Sequence, residues 1–204
     1  ARVPENPPRS FLEALQFFYF IHLVRYLEYS TLGIGIRLDK IFVSFYEKDL
    51  AEGRLDRGEA LEIMQLLWIK FNELGLVYSP TVSSVYGGVA SLQAVTIGGT
   101  DKNGNDVTND LTYLALEAAE SLHLIEPSIA LRIHRGTPDE LYSRALDVIK
   151  TGVGYPSLFN DESLLPLIEK WGVPPGDAKD YAVTGCVYIE IPGKNAMRRP
   201  GGYF

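Results

Sequence analysis

The sequence holds one cysteine, Cys186, among 204 residues. A lone thiol cannot close an internal disulfide, and it is too little for an all-cysteine metal site. Three roles stay open for it: a small buried hydrophobe, a reactive thiol or a surface thiol. So little cysteine fits a reducing cytoplasm most simply. Long apolar runs are missing too. The stretch from Phe17 to Leu27 is broken by His22 and Arg25, and that from Leu66 to Leu76 by Lys70 and Glu73, so neither can span a bilayer. The opening residues Ala1-Arg-Val-Pro-Glu-Asn-Pro-Pro8 carry no signal-peptide core. Positive charge is in deficit, and the formal net charge of −7 argues against general nucleic-acid binding. No two histidines or carboxylates stand at metal-ligand spacing with a third nearby. Phosphate-loop and dinucleotide motifs are absent: Gly87-Gly88 and Gly98-Gly99 read as turns, and Gly33-Ile-Gly35 is too weak a signal alone.

What is present is ordinary globular composition, 46% hydrophobic and 22% charged, with length for one domain and a substantial core. Ser10 and Glu13 form a capping-box pattern ahead of a helix that is apolar on nearly all sides, which predicts a buried helix. Residues Glu28 to Asp39, with Gly33 and Gly35, read as irregular backbone pressed against the core. Lys40–Ala51 and Arg57–Leu74 read as two more helices. Then strand and helix patterns alternate. Leu92–Ile97 is followed by a helix from Thr108 to Leu124 and Pro127–His134 by a helix to Lys150, capped by Thr137 with Glu140. Ser157–Asp161 leads into Glu162–Trp171, and a turn at Asp177–Asp180 leads into a last strand, Tyr181–Val187. This rhythm predicts βα units and a parallel sheet, open or closed into a barrel. Sites in such sheets lie beyond the C-terminal ends of strands, where Cys186 would stand.

Cys186 lies in Ala182-Val-Thr-Gly-Cys-Val-Tyr-Ile-Glu-Ile-Pro-Gly-Lys194, with Arg198 and Arg199 close behind. A nucleophilic thiol needs a base or a helix N-terminus. His22 reads as a satisfied core residue and His123 as a helix-end cation. His134 ends a strand and is the histidine expected on the rim of Cys186. Lys194, Arg198 and Arg199 suit capture of an anionic substrate group, or equally a solvated loop or a contact with another part of the protein.

Several blocks together carry a family likeness: Leu92–Gly99, Asp106–Leu111, Pro127–Pro138, Gly152–Asp161, and Asp177–Val187 running into Ile191–Lys194. In this order they resemble the glycyl radical enzymes, which include pyruvate formate-lyase and the glycerol dehydratases, from about Ser10 to the C-terminus. The resemblance implies an α/β fold, part of a ten-stranded α/β barrel with several long buried helices, to which residues 1–204 contribute a partial domain. It implies a finger loop that presents a cysteine, here Cys186, whose thiyl radical abstracts hydrogen from a small organic substrate. It places the glycyl radical far C-terminal, outside this segment, installed by a radical-SAM activating enzyme. No cofactor is expected bound to the segment itself. The expected partners are the small-molecule substrate and the activase, with no nucleic acid and no membrane, in a cytoplasmic homo-oligomer of the full-length enzyme. A first residue other than methionine and an end at Gly201-Gly-Tyr-Phe204 suggest a piece of a longer polypeptide, inactive alone.

Departures from the family pattern sharpen the expected chemistry. Dehydratases and decarboxylases of the family have glutamate two residues after the cysteine, where this sequence has Tyr188. Glu190 is the nearest carboxylate, and an extended segment would put it on one face with Tyr188 and Cys186. Residue 187 is valine where pyruvate formate-lyase has a second cysteine, and Thr31-Leu32-Gly33 stands where dehydratases have Gly-His-Ser. The candidate substrate-binding residues around Cys186 are therefore Tyr188, Glu190, Arg198, Arg199, Leu32 and Gly33. The broad expectation is a C–C or C–X bond lyase or transferase. An apolar wall with two arginines further suggests a fumarate-adding synthase or an arylacid lyase. Outside the class stand a thiol-nucleophile enzyme with His134 as base and a catalytically silent homologue.

Overall fold

The structure, a computed structural model, describes residues 2–27, 33–74, 79–81, 84 and 92–194. Side-chain caps set most helix starts. Helix α1 (Phe11–Leu27) begins where Ser10 Oγ accepts from the Glu13 amide at 3.2 Å, while the Glu13 carboxylate reaches past Ser10 to the Arg9 amide. Helix α2 (Leu38–Ala51) has no side-chain cap. A full capping box of Asp56 and Glu59 opens α3 (Arg57–Asn72), and Asn109 with Thr112 opens α4 (Asp110–Leu122). For α5 (Asp139–Lys150) the expected Thr137 cap is corrected. Thr137 Oγ1 accepts from the His134 amide at 2.8 Å, which closes the preceding turn, and Pro138 takes the N-cap position with no side-chain cap.

Strands β1 (Ala94–Gly98), β2 (Ser128–Ile133) and β3 (Ser157–Asn160) form a parallel sheet in that order, as the alternating pattern predicts. Helix α4 crosses from β1 to β2 and α5 from β2 to β3. The irregular stretch before α2 continues the sheet past β1, since the Thr96 amide donates to Ile36 O at 2.8 Å and Arg37 bridges Thr96 in parallel. After β3 come α6 (Asp161–Lys170) and the single turn α7 (Pro175–Ala178).

Alternation along the strands divides the sheet into two faces. Val95, Ile97, Ile129 and Leu131 face the helices and join Phe11, Phe18, Trp68 and Leu114 in the main core. On the other face, Ala130 packs with Tyr181, Val183, Ile189 and Ile191. The predicted last strand is corrected on this face. Its chain breaks into β4 (Ala182–Thr184) and β5 (Tyr188–Glu190), an antiparallel pair joined by Gly185-Cys186-Val187, with Gly185 at φ 56°. Only glycine takes that conformation without strain, so the chain reverses there. The expectation that α1 is buried all round is corrected too. Phe11, Ala14, Leu15, Phe18, His22 and Tyr26 are buried, while Leu12, Ile21, Val24 and Leu27 face outward.

Candidate functional site

The β4–β5 hairpin is fastened at its base by two buried arginines. Arg132, on β2, is 0% exposed and donates through Nη1 to Lys179 O and Tyr181 O, each at 3.0 Å. Its other two nitrogens hold Asp161 at 3.0 and 2.7 Å, and its guanidinium lies 3.9 Å from the centre of the Tyr181 ring. The Tyr181 hydroxyl completes the group by donating to Asp161 Oδ1 at 2.8 Å. Burial pushes the Tyr181 phenol far above its usual range, so it stays a donor. Arg37, 1% exposed, donates to Gly98 O at 2.7 Å, to Thr100 O at 2.8 Å and to Lys179 O and Asp180 Oδ1 at 3.3 Å. Burial lowers the Arg37 pKa and the nearby Arg132 charge lowers it further, against Asp39, Asp180 and Asp161. Asp39, wholly buried between the Gly98 amide at 2.6 Å and Thr112 Oγ1 at 2.7 Å, has its pKa raised by that burial.

From this base β4 runs back along the sheet. The Val183 amide donates to Thr96 Oγ1 at 2.8 Å, midway along β1. Thr184 Oγ1 then donates to Gly33 O at 2.7 Å, and the Gly33 amide in turn donates to Leu92 O, just before β1 begins. The chain therefore descends antiparallel to β1, from its C-terminal end to its N-terminal end. Cys186 and Val187, at the tip, are exposed. This corrects the expectation that Cys186 shares the C-terminal rim with His134. His134 ends β2 at the opposite rim, 2.9 Å from Asp106 Oδ1 through Nε2, with Nδ1 accepting from the Gly136 amide at 3.1 Å. The nucleophile–base pair does not form.

Tyr188 and Glu190 do share one side of β5, but Cys186 lies in the turn and leaves that face. Tyr188 is half-buried. Glu190 is 8% exposed, and its Oε2 accepts from the Gly35 amide at 3.2 Å. Burial raises its pKa, opposed by the Gly35 amide and the Arg25 charge. Gly33 packs so tightly on Gln93 that a Cβ there would lie 2.2 Å from Gln93 Oε1. Leu32, Arg198 and Arg199 lie outside the described residues. His22 is buried as expected but not satisfied. Its ring stands edge-on to Phe71 at 4.9 Å, and among the described residues neither ring nitrogen has a partner at hydrogen-bond geometry, the nearby Gln93 amide being engaged by Ile34 and Ala94. Burial lowers its pKa to about 4, so the imidazole is neutral.

Sequence reasoning missed Arg37, Asp39, Arg132, Asp161 and Thr184. One signal was there to find: Arg132 interrupts Ile129-Ala-Leu-Arg-Ile133, and a charge inside a buried parallel strand demands a partner. Among the described residues no helix is long and apolar enough to cross a membrane, and no three acidic, histidine or cysteine side chains could together hold a metal ion.

A family model described as pyruvate formate lyase-like matches residues 1–204. Isethionate sulfite-lyase of Nitratidesulfovibrio vulgaris is 40% identical over 206 positions, covering 100% of this chain and 25% of that protein. The structure of a glycyl radical enzyme from Archaeoglobus fulgidus superposes with a TM-score of 0.85 at 35% identity, over 94% of this chain and 25% of that one. A structure described for 1,2-propanediol dehydration in Roseburia inulinivorans gives a TM-score of 0.87 at 34% identity, over 94% and 24%. The chain thus spans about a quarter of the length of these relatives. The likeness read from the motif blocks is borne out along the whole sequence, and the chain belongs to the pyruvate formate lyase-like family of glycyl radical enzymes.

Proposed function

We propose that the full-length protein is a glycyl radical lyase in which Cys186 abstracts hydrogen from a small organic substrate whose neighbouring C–O or C–S bond then breaks. The observation that carries this reading is the hairpin, which crosses one face of a parallel sheet, is anchored by buried arginines, and holds a single thiol at its tip. The sheet and hairpin suit one sector of a ten-stranded barrel with Cys186 on its finger loop, enclosed once the remaining strands are in place. A nucleophile would need a base, and His134 is held by Asp106 at the other rim. A hydrogen-abstracting thiol needs instead a fixed position and exclusion of water and oxidants. A glycyl radical on a segment outside this chain, installed by a radical-SAM activating enzyme, supplies the one-electron oxidation. The Cys186 thiol gives its hydrogen atom to that radical, takes one from a substrate C–H, and returns it to the product carbon after bond cleavage. Bond cleavage of this kind agrees with the sulfite-lyase and the propanediol dehydration named for the relatives. A cytoplasmic homo-oligomer is part of the same proposal.

Tyr188 favours a second reading on substrate. It puts a phenol where a carboxylate serves dehydratases, which suits a substrate carrying its own carboxylate and an apolar group, as in an arylacid lyase or a fumarate-adding synthase. The test is anoxic turnover by the activated full-length protein of isethionate, propane-1,2-diol and an arylacetate, one at a time. Aldehyde from either of the first two supports the leading reading, and turnover of the arylacetate alone selects the second. Full turnover in a Cys186→Ala variant overturns both.

A further inference from the structure

Residues 33–36 run beside β1 and meet both strands of the hairpin, β4 next to the tip and β5 at the far end of the ladder. Thr184, the last residue of β4, donates Oγ1–H to Gly33 O at 2.7 Å. Glu190, the last residue of β5, accepts the Gly35 N–H at Oε2, 3.2 Å away. Both side chains are buried, at 4% and 8% exposure. The approach leaves no room on the other side: a Cβ at Gly35 would lie 2.6 Å from Glu190 Oε2 and 3.4 Å from Thr184 Cβ. Gly33 and Gly35 lie outside the left-handed backbone region that favours glycine, so close contact explains them and conformation does not.

Glu190 is also poorly placed to carry a proton at the reacting centre. Across the hairpin Tyr188 pairs with Thr184 and Glu190 with Ala182, one pleat further from the tip. Cys186 lies in the turn, while Glu190 stands at the end of the β4–β5 ladder farthest from it. One of its oxygens is already engaged by the segment beneath it.

We infer that Glu190 and Thr184 are positioning residues for Cys186. Their bonds to Gly35 and Gly33 fix where the hairpin tip stands, and Glu190 serves as a hydrogen-bond acceptor rather than as the proton carrier of the reaction. This rests on the reading of Cys186 as the reacting thiol. The mechanism is geometric: a reacting atom displaced by about 1 Å can cost roughly 100-fold in rate.

The experiment uses the activated full-length protein with Glu190→Ala, Glu190→Gln, Gly35→Ala and Thr184→Val, read by amide exchange over residues 33–36 and by kcat and KM. Glu190→Ala and Gly35→Ala should lose the Gly35 protection and lower kcat roughly 100-fold, with KM changed much less. Glu190→Gln keeps an acceptor for the Gly35 amide, so it should restore the protection and most of the lost rate. Thr184→Val, nearly isosteric, should lower kcat while preserving the fold, and it carries the test where Glu190→Ala does not accumulate. A Glu190→Gln enzyme as inactive as Glu190→Ala with protection intact would make Glu190 a proton carrier and overturn the inference. Wild-type kcat in Gly35→Ala or Thr184→Val would overturn it as well. Failure of the radical reading shows elsewhere, as full activity in Cys186→Ala, while the exchange pattern still reports the docking.

Discussion

Replacing Arg132 with methionine removes the main fastener at the hairpin base. The residue makes four hydrogen bonds, two to Asp161 and two to the carbonyls of Lys179 and Tyr181, and its guanidinium stacks on the Tyr181 ring. Asp161 is 1% exposed, so its carboxylate would be left in the interior with the Tyr181 hydroxyl and no cation. An uncompensated buried charge costs about 3–5 kcal/mol. The two carbonyls fare differently, because Arg37 still reaches Lys179 O at 3.3 Å while Tyr181 O loses its arginine donor. The expected loss for Arg132→Met is therefore about 4 kcal/mol. Asp161→Leu should cost a similar amount by stranding the guanidinium. The double variant removes both charges, leaves the Tyr181 hydroxyl without its acceptor and Tyr181 O without its arginine donor, and should fall below the sum of the singles by about 2 kcal/mol or more. Denaturant unfolding of the purified full-length protein gives the three values, and amide exchange over residues 179–183 localises them. An Arg132→Met protein within about 1 kcal/mol of wild type, or strictly additive singles, would refute the reasoning.

Glu126 should give the protein an acid-side stabilisation. Its Oε1 accepts from the Leu92 amide, its Oε2 is buried without a partner among the described residues, and burial raises its pKa from 4.5 to about 7. With the folded value above the unfolded one, the contribution is full below 4.5 and is lost as pH rises through 7, about 3 kcal/mol in all. Glu126→Gln should flatten the stability profile in that window, and an unchanged slope would count against the assignment. His22 acts with the opposite sign: its folded pKa of about 4 lies below the free 6.5, so stability is lost as pH falls between them, and His22→Met should remove that loss. At the start of α3, Asp56→Ala should cost about 1 kcal/mol in the same unfolding assay, through loss of the bond from the Glu59 amide.

Local rules made much of the fold legible. The capping pattern at Ser10 and Glu13, helical periodicity, and apolar runs at strand length located the helices and the three parallel strands to within a few residues. The hairpin was not legible, because Tyr181–Val187 reads as one extended run and only the positive φ at Gly185 breaks it. That single turn decides the site. It sends Cys186 to the N-terminal side of β1 and separates it from His134, which periodicity alone placed on one rim. Thr137 was misread for a related reason, since its hydroxyl serves the turn from His134 rather than the helix after it. Of the candidate site, Cys186 and Glu190 were visible as residue types in a motif. The partners that fix them, Arg132, Asp161, Gly33 and Gly35, come from distant parts of the chain, and only the fold brings them together.

The central claim is that the Cys186 thiol, at the tip of the hairpin, takes hydrogen from substrate. It is tested most directly by comparing wild-type and Cys186→Ser full-length protein, each activated without oxygen, by electron paramagnetic resonance and by product formation from the same samples. The account predicts a glycyl doublet of equal intensity in both and product from the wild type alone. Product from Cys186→Ser at the wild-type rate, or a wild-type protein that turns over with no doublet, would contradict it.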